Sequence, residues 1–261
     1  MIKTLLAPFG LEVRGLDITT LSKPSFDSIA RLIASARVVV FREQVLDDLA
    51  FVRFLKGLGQ LTFTDGEVPV DHAPDLNVVS NRGRLSPPRS VFHTDTSYAV
   101  CPPSFTALRP VVLPASGGDT IFSDQVGAAA SLPQNIRRYL DGRTVLHGVS
   151  GLEGKIDGQG ATTRQPLFRR HALTGEVSLF LSTPQRCTGL SGMDTPTSER
   201  VIAALYRYST RASKLYRHQW RAGDVLIWDN RVTMHKADHG NVTEDRVLHR
   251  GMVMGEVPLM A

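Results

Sequence analysis

Two side chains with metal-binding chemistry stand two residues apart in the stretch VFHTDTSY, residues 91–98. The stretch is rich in residue types that favour a strand. Because residues i and i+2 of a strand point to the same face, we expect His93 and Asp95 to project side by side. An imidazole and a carboxylate together suit a divalent first-row metal. A surface hydrogen bond between the two side chains would give the same pattern, so the pair needs a third ligand to define a site.

The stretch TMHKADHG supplies two further histidines, His235 and His239. Their spacing of four would place both on one face of a helix, as in zinc proteases. However, the segment begins as a strand and turn and Gly240 ends it, so the helical context is missing. His235 directly follows the alternating RVTM and is the better ligand candidate, whereas we expect His239 in a turn or beside the ligands. Two histidines and one carboxylate leave three positions of a metal open, as in non-haem iron(II) oxygenases.

The stretch DRVLHRGMV places Arg246 and Arg250 four residues apart on a predicted strand. The two arginines therefore share one face of that strand. If this face lines the protein interior, two guanidinium groups enter an enclosed space and require anionic partners. If the face points to solvent, Val247 and His249 face inward instead. The pattern alone leaves both arrangements open.

The composition is typical of a soluble globular protein. Of the 261 residues, 42% are hydrophobic and 21% are charged, and no apolar run is long enough to span a bilayer. The net charge of +5 comes from scattered basic residues without a nucleic-acid-binding motif, and it suits small anionic ligands. Cys101 and Cys187 are too few for a disulfide framework, which fits a reducing cytoplasm. We therefore expect no nucleic-acid or membrane partner.

The elements expected around these motifs are short strands with a few helices. A helix is expected from Ser25, a buried strand at RVVVFR, and a second helix from Asp47 or Asp48. Residues 62–90 are expected to form a long active-site loop with one short strand, LNVVS, and residues 153–164 a mobile flap. After residue 92 short strands dominate, interrupted by helices at 134–140 and 199–208. This order predicts a mixed α/β, mainly β fold: a double-stranded β-helix (jelly-roll, cupin-like) core with flanking helices, in one domain over residues 1–261.

Taken together, these motifs resemble the TauD/TfdA (taurine dioxygenase-like) family of Fe(II)- and 2-oxoglutarate-dependent dioxygenases. FHTDTSYAVCPPSFTALRPVVLPASGGDTIFSD resembles the metal-motif strand, the following strand and the GGDT turn of the family. WDNRVTMHKA and RVLHRGMVMGE resemble its distal-histidine and arginine motifs. The N-terminal GLEVRGLDIT, VVVFREQ and FLKGLGQL are also similar, so the likeness covers nearly the whole chain.

The resemblance implies roles for particular residues. His93, Asp95 and His235 would be the iron ligands, and Arg246 would bind the distal carboxylate of 2-oxoglutarate through a bidentate fork. Thr120 of GGDT would donate a hydrogen bond to the same cosubstrate, although by sequence alone it could simply begin a strand.

Arg250 matches a family arginine near the iron-bound end of the cosubstrate that also binds the anionic group of the substrate. Tyr98 is a further candidate substrate contact, although a strand aromatic can equally belong to the core. Two departures concern the substrate. The loop GEVPVDHAPDLN lacks the family's His-Pro-Val-Tyr pattern, so His72 is only a loose counterpart of the loop histidine, and Arg89 stands four residues before His93 in place of a small amide.

The resulting hypothesis is an oxygenase that uses Fe(II), 2-oxoglutarate and O2 to hydroxylate or desaturate a small anionic or amino-acid-derived substrate, releasing succinate and CO2. A branch of the family, PvcB-like, acts on a tyrosine-derived isonitrile and is the alternative. A zinc hydrolase with the same ligands, or a non-catalytic jelly-roll module that binds metal or a small acid, would show no O2 uptake coupled to succinate. A homo-oligomer is possible in each case.

Overall fold

The computed structural model describes residues 1–64, 66–82, 90–149, 162–240 and 242–261. Within these ranges the chain forms eighteen β-strands and five α-helices. The strands are β1 (Ile2–Leu5), β2 (Leu11–Arg14), β3 (Val38–Phe41), β4 (Leu61–Thr62), β5 (Pro69–Val70), β6 (Ala73–Ser80), β7 (Phe105–Val112), β8 (Asp119–Asp124), β9 (Thr144–Gly148), β10 (Thr162–Pro166), β11 (Phe168–Arg170), β12 (Val177–Leu179), β13 (Cys187–Leu190), β14 (Leu215–His218), β15 (Val225–Asp229), β16 (Thr233–Asp238), β17 (Val247–Val253) and β18 (Leu259–Met260). The helices are α1 (Lys23–Ala36), α2 (Asp48–Leu58), α3 (Gln125–Ala130), α4 (Gln134–Leu140) and α5 (Thr195–Ser209).

The largest sheet runs in the order β1-β2-β3-β15-β7-β17-β6-β5, with β4 beside β17. Both faces of this sheet are covered at β3, which explains why every residue of its VVVF sequence is buried. Val39 and Phe41 pack in the apolar cluster that contains α1 and α2. Val38 and Val40, which point the other way, pack in a cluster with the facing sheet. The predicted buried strand at RVVVFR is therefore confirmed.

Helices α1 and α2 cover the outer face of this sheet. The Asp47 carboxylate accepts a hydrogen bond from the backbone N–H of Ala50 at 2.7 Å, which confirms the predicted start of α2. Helix α1 begins at Lys23, two residues before the predicted Ser25, because Pro24 fits the first turn of a helix. No helix among the described residues is long and apolar enough to cross a membrane.

A second sheet, β14-β8-β16, lies against the inner face of the large sheet. Phe122 of β8 and Tyr216 of β14 pack there with Trp228 of β15 and Leu248 of β17. Two largely antiparallel sheets that face each other across an apolar layer form the predicted jelly-roll core, with the helices outside it. The fold class, mixed α/β and mainly β, is confirmed.

Two further three-stranded sheets, β10-β9-β13 and β12-β11-β18, pack with α5 around a separate apolar cluster. Helix α4 has the predicted bounds. Helix α5 begins at Thr195, before the predicted residue 199, because the Asp194 carboxylate accepts a hydrogen bond from the backbone N–H of Thr197 at 2.7 Å and Pro196 fits the first turn.

The predicted strand at residues 91–98 is wrong. Only His93 makes a β-bridge, to His235, and the chain then turns over residues 95–98. Thr96 adopts a φ of 35°, and its carbonyl accepts a hydrogen bond from the backbone N–H of Ala99 at 2.9 Å. Residue types that favour a strand are not enough to form one here, because the segment pairs with β16 at only one residue and then turns away from it.

Two predicted loops also differ from the structure. Residues 62–90 contain β5 and the eight-residue β6, so the single short strand predicted there is too short, because β6 is paired on both sides, by β5 and β17. Residue 65 and residues 83–89 of this segment lie outside the described residues. Of the predicted flap 153–164, residues 153–161 lie outside the described residues, and residues 162–164 pair with β9 as part of β10.

Candidate active site

Three metal-ligating side chains converge at one edge of β16. His235 lies on β16 itself, His93 on the bridge beside it, and Asp95 at the start of the turn that follows. The backbone N–H of His93 donates to the His235 carbonyl at 2.9 Å, and the N–H of His235 donates to the His93 carbonyl at 2.9 Å. The Nε2 atoms of His93 and His235 lie 3.7 Å and 3.8 Å from Oδ1 of Asp95. The ligand atoms of all three residues lie within 4.8 Å of one another.

The protonation of the three groups favours metal binding. Burial, together with the neighbouring His235, lowers the pKa of His93 to about 3. Burial likewise lowers the pKa of His235. For Asp95, burial alone would raise the pKa, but His235, Arg250 and His93 outweigh it and hold the pKa below its ordinary value. Two neutral imidazoles and one carboxylate thus face each other at neutral pH.

The orientation of the rings and the donor set fit a divalent metal. Nδ1 of His93 lies 3.0 Å from the carbonyl of Val91 and must therefore donate its proton there, which leaves the Nε2 lone pair directed toward Asp95. The buried Nδ1 of His235 has no hydrogen-bond partner among the described residues, so this ring is not fixed by a protein network. Two nitrogens and one oxygen on one side of an ion match the facial arrangement that iron(II) accepts in non-haem oxygenases.

A chain of hydrogen bonds that sequence reasoning missed orients the carboxylate. The Thr106 hydroxyl donates to Oδ2 of Asp95 at 2.8 Å, Asn230 donates to Thr106 at 2.6 Å, and the Trp228 indole donates to Asn230 at 3.0 Å. The Trp228 ring also lies 4.5 Å from the His235 ring, measured between centroids. The sequence feature that could have indicated these hydrogen bonds is the position of Asn230 in the WDN triplet just before β16.

A cleft of about 920 Å³, counting its open mouth, adjoins the three side chains, and Arg246 lines it. Arg246 is 1% exposed, and its Nε donates to the Gly118 carbonyl at 2.7 Å. Burial lowers the pKa of Arg246 to about 10, so the guanidinium stays charged at neutral pH. None of the described carboxylates forms an ion pair with it. A buried cation of this kind requires an anion in the cleft.

Thr120 also lines the cleft, at the start of β8. Its Oγ1 accepts a hydrogen bond from the Trp220 indole at 3.1 Å and lies 3.4 Å from Nη2 of Arg246. Because this oxygen accepts from both neighbours, its own proton is available to a ligand in the cleft. Gly118 brings the preceding turn close: it has a φ of 70°, and a Cβ there would lie 2.9 Å from Cδ of Arg246.

Arg250 lines the same cleft from β17 and is bound on three sides. Its Nε donates to Oδ1 of Asn77 at 3.1 Å, its Nη1 lies 3.4 Å from Oδ1 of Asp95, and its Nη2 lies 3.3 Å from Oε1 of Glu67. Of the two orientations that the sequence left open, the structure therefore places Arg246 and Arg250 toward the interior.

The remaining predicted site residues are placed differently. Tyr98 lines the cleft, with the Arg186 guanidinium 5.6 Å from its ring centroid. The structure does not bring His72 to the cleft, because its side chain is 66% exposed and its Nε2 lies 2.9 Å from Oδ2 of Asp48. Arg89 lies outside the described residues. His239 is buried after β16 but is not part of the three-ligand group.

Among the residues that line the cleft, sequence reasoning assigned no role to Thr64, Glu67 and Arg186. Thr64 and Glu67 belong to the segment predicted as a long active-site loop, so its functional importance was indicated but its contributing side chains were not. Arg186 lies between β12 and β13, in a segment from which no site residue was predicted.

Comparison with known proteins identifies the family. Residues 2–252 match the family model "Taurine catabolism dioxygenase TauD, TfdA family". The chain therefore belongs to the TauD/TfdA family.

Individual relatives match over most of their length. The chain is 31% identical over 276 residues to the alpha-ketoglutarate-dependent sulfate ester dioxygenase of Pseudomonas putida, covering 96% of this chain and 88% of that protein. It is 28% identical over 247 residues to the alpha-ketoglutarate-dependent 2,4-dichlorophenoxyacetate dioxygenase of Burkholderia sp. (strain RASC), covering 84% and 82%. A crystal structure of a taurine dioxygenase from Burkholderia xenovorans superposes with a TM-score of 0.85 at 31% identity, covering 99% of this chain and 92% of that one.

The chain is accordingly a dioxygenase that uses Fe(II), 2-oxoglutarate and O2. The predicted family, enzyme class and cofactors are confirmed, in preference to a zinc hydrolase or a non-catalytic binding module. The comparisons give no support to the alternative of an isonitrile-processing enzyme.

Proposed function

We propose that this dioxygenase hydroxylates or desaturates a small anionic or amino-acid-derived substrate, with iron(II) held by His93, Asp95 and His235. The observation that carries the proposal is the convergence of these three ligands within 4.8 Å beside a buried arginine. When bound, iron(II) and 2-oxoglutarate activate O2, and the 2-oxoglutarate leaves as succinate and CO2.

Arg246 and Thr120 are the residues that we propose for the distal carboxylate of 2-oxoglutarate. A guanidinium offers a planar pair of N–H donors to a carboxylate, and no described residue accepts a hydrogen bond from Nη1 of Arg246. The Thr120 hydroxyl adds a third donor. Together they fix the diacid at one end, so that its other end faces the three metal ligands.

For the substrate, the wall of the cleft near Arg250 and Tyr98 is the proposed binding surface. The relatives act on sulfate esters and phenoxyacetates by name, which are anionic, and an arginine near the metal ligands suits such groups. Arg89 remains a predicted contact. His72 is left out of the proposal because its side chain binds Asp48 outside the cleft.

The proposal extends to the organisation of the molecule. Residues 1–261 would form one domain, which is supported by the presence of β1 to β3 and β17 in the same sheet. Cys101 and Cys187 are both free, which fits the predicted cytoplasmic location. The proposed partner is a small molecule, and a homo-oligomer remains compatible with the fold.

Turnover of a substrate panel tests this function. The protein is loaded anaerobically with Fe(II) and 2-oxoglutarate, exposed to O2, and assayed for succinate with sulfonates, sulfate esters, aryloxyacetates and amino acids. His235→Ala should lower succinate release at least ~100-fold, since it removes a metal ligand. The control His72→Gln should keep activity because that side chain lies outside the cleft. Full turnover by His235→Ala would contradict the assignment.

A further inference from the structure

The cleft contains a second carboxylate besides that of Asp95, and it belongs to Glu67. The Glu67 side chain is 34% exposed, so it faces the open part of the cleft. Its Oε1 lies 3.3 Å from Nη2 of Arg250, and its Oε2 accepts a hydrogen bond from Nδ2 of Asn77 at 3.4 Å. The backbone N–H of Glu67 donates to the Thr64 carbonyl at 3.2 Å.

Glu67 reduces the net positive charge that Arg250 presents to a ligand. All three nitrogens of the Arg250 guanidinium face an oxygen of the protein, and two of these oxygens belong to the carboxylates of Asp95 and Glu67. Arg246, in contrast, has no carboxylate partner among the described residues. An anion that approaches Arg250 therefore meets a cation that is already neutralised and a carboxylate that repels it.

A substrate with both charges would resolve this conflict. Its acid group can displace Glu67 from Arg250, and its ammonium group can then bind the released carboxylate. The two protein groups are in contact, so the acid and the ammonium group of the ligand must be only a few bonds apart. Opposite-charge contacts in a partly closed cleft are stronger than in water, which makes such a pairing selective.

We propose that Glu67 is a specificity-determining residue that binds a positively charged ammonium group of the substrate, so that the enzyme selects small zwitterions over simple anions. This inference rests on the proposed function, because it concerns the substrate of the same cleft. If Glu67 served only to hold Arg250 in place, its loss would release Arg250 and weaken the binding of every ligand alike.

Matched pairs of probes distinguish the two roles. The pairs are 2-aminoethanesulfonate with ethanesulfonate, 3-aminopropanesulfonate with propanesulfonate, and alanine with propionate. Binding to protein loaded with Fe(II) and 2-oxoglutarate is measured by anaerobic calorimetry, and KM and kcat are obtained from succinate release. For at least one pair, the wild-type protein should bind the amino member roughly tenfold or more tightly than its partner, as expected for a hydrogen bond between charged groups.

The variant Glu67→Gln should change the two members of that pair in opposite directions. The amino member should lose roughly 10- to 100-fold in affinity, mainly through KM, because the charge that binds its ammonium group is gone. The member without an amine should bind more tightly, because Arg250 is freed from its neutralising partner. The control Asp75→Asn removes an exposed carboxylate that pairs with Lys56 outside the cleft, and it should change neither.

Three outcomes would overturn the proposal: no amino member binds to the wild-type protein, the members of every pair bind equally, or Glu67→Gln weakens both members alike. Failure of the wild-type protein to bind 2-oxoglutarate would instead contradict the proposed function of the cleft. The two failures are distinguishable because the cosubstrate is titrated first, before any probe is added.

Discussion

Arg246 and Arg250 are four residues apart in the chain, yet their surroundings differ. Arg246 is buried against a backbone carbonyl and a hydroxyl, whereas Arg250 contacts the carboxylates of Asp95 and Glu67. The sequence indicated that the two arginines share one face of a strand, but it could not indicate their partners. Those partners come from segments more than 100 residues away, and only the folded sheet brings them together.

Arg250 contacts two carboxylates, whereas Arg246 contacts none among the described residues. We therefore expect Arg246 to contribute most of the affinity for the diacid 2-oxoglutarate. Arg246→Gln should raise the dissociation constant of 2-oxoglutarate roughly 100-fold, because a buried charge-assisted pair is lost. Anaerobic calorimetry with Mn(II)-loaded protein measures this directly, without turnover. Arg14→Gln, which removes a partly exposed arginine paired with Glu12 and Glu43, is the control and should bind normally. An unchanged affinity in Arg246→Gln would disprove this role.

The candidate ligands show what residue types can and cannot indicate. His93, Asp95 and His235 were singled out by chemistry and spacing, and the structure brings them together. The reason given for the first pair was wrong, since Asp95 reaches the group through a turn and not by strand alternation. Thr106 and Glu67 carry no local signal, because a threonine or a glutamate becomes part of a site only through the side chain that it meets.

At the scale of elements, side-chain contacts join helix α2 to the large sheet, next to the strand that carries Arg250. Asp48, in its first turn, lies 2.8 Å from Nδ1 of His249 on β17, and it also pairs with Arg109 on β7 and with His72. His249 is the neighbour of Arg250 and points to the opposite face. A single carboxylate thus joins the helix to the strand that carries the cleft arginine.

Loss of this carboxylate should destabilise the protein. Burial would raise the pKa of Asp48, but His249 and Arg109 outweigh it and lower the pKa below 3.8. A lowered pKa stabilises the fold above the unfolded-state value and loses that contribution as the pH falls through the folded-state value. Asp48→Asn should therefore cost about 3 kcal/mol at pH 7, because it removes the buried carboxylate that pairs with His249 and Arg109. The deficit should shrink as the pH falls below 3.8.

Urea unfolding of both proteins at a series of pH values measures this deficit. The exposed Asp75→Asn is the matched control and should stay within about 0.5 kcal/mol of wild type. A deficit in Asp48→Asn that grew on acidification would contradict the role assigned to the carboxylate.

Elements were predictable where local chemistry decides them. The start of α2 follows from the Asp47 cap, the bounds of α4 were correct, and the buried strand β3 follows from its apolar run. Strands such as β6 were predicted too short, because their Asp, Asn and Pro residues favour turns unless neighbouring strands supply hydrogen bonds. Those neighbours are distant in sequence, so no local rule could indicate them.

At the scale of the whole molecule, most of the apolar packing lies away from the candidate metal ligands. One packs α1 and α2 on the large sheet, one lies between the two facing sheets, and one surrounds α5. The rings of Trp228 and Phe122 lie 4.5 Å and 6.2 Å from the His235 ring, but the other residues of these clusters are largely not those that would hold the ligands. The jelly-roll was predictable as a whole because the order of motifs covers nearly the entire chain.

This separation predicts that the protein folds without its metal. Chelator-treated protein should keep its far-ultraviolet circular dichroism and a cooperative thermal transition. Mn(II) with 2-oxoglutarate at about 100 times its dissociation constant should add about 2.7 kcal/mol, which corresponds to roughly 5–10 °C in Tm. Scanning calorimetry measures both quantities, and His235→Ala should show the transition without the increase. A chelated protein that failed to unfold cooperatively would refute the prediction.

The reciprocal amide bonds between His93 and His235 have a consequence for the choice of ion. Because a closed ring of main-chain bonds sets the spacing of the two backbone segments, the imidazoles can follow cations of different radius only by rotating about their own side-chain bonds. The carboxylate of Asp95 belongs to a turn, and among the described residues a hydroxyl and a guanidinium contact its oxygens. If these three side chains hold the ion, a change of ionic radius is therefore accommodated by side-chain rotation rather than by movement of the main chain.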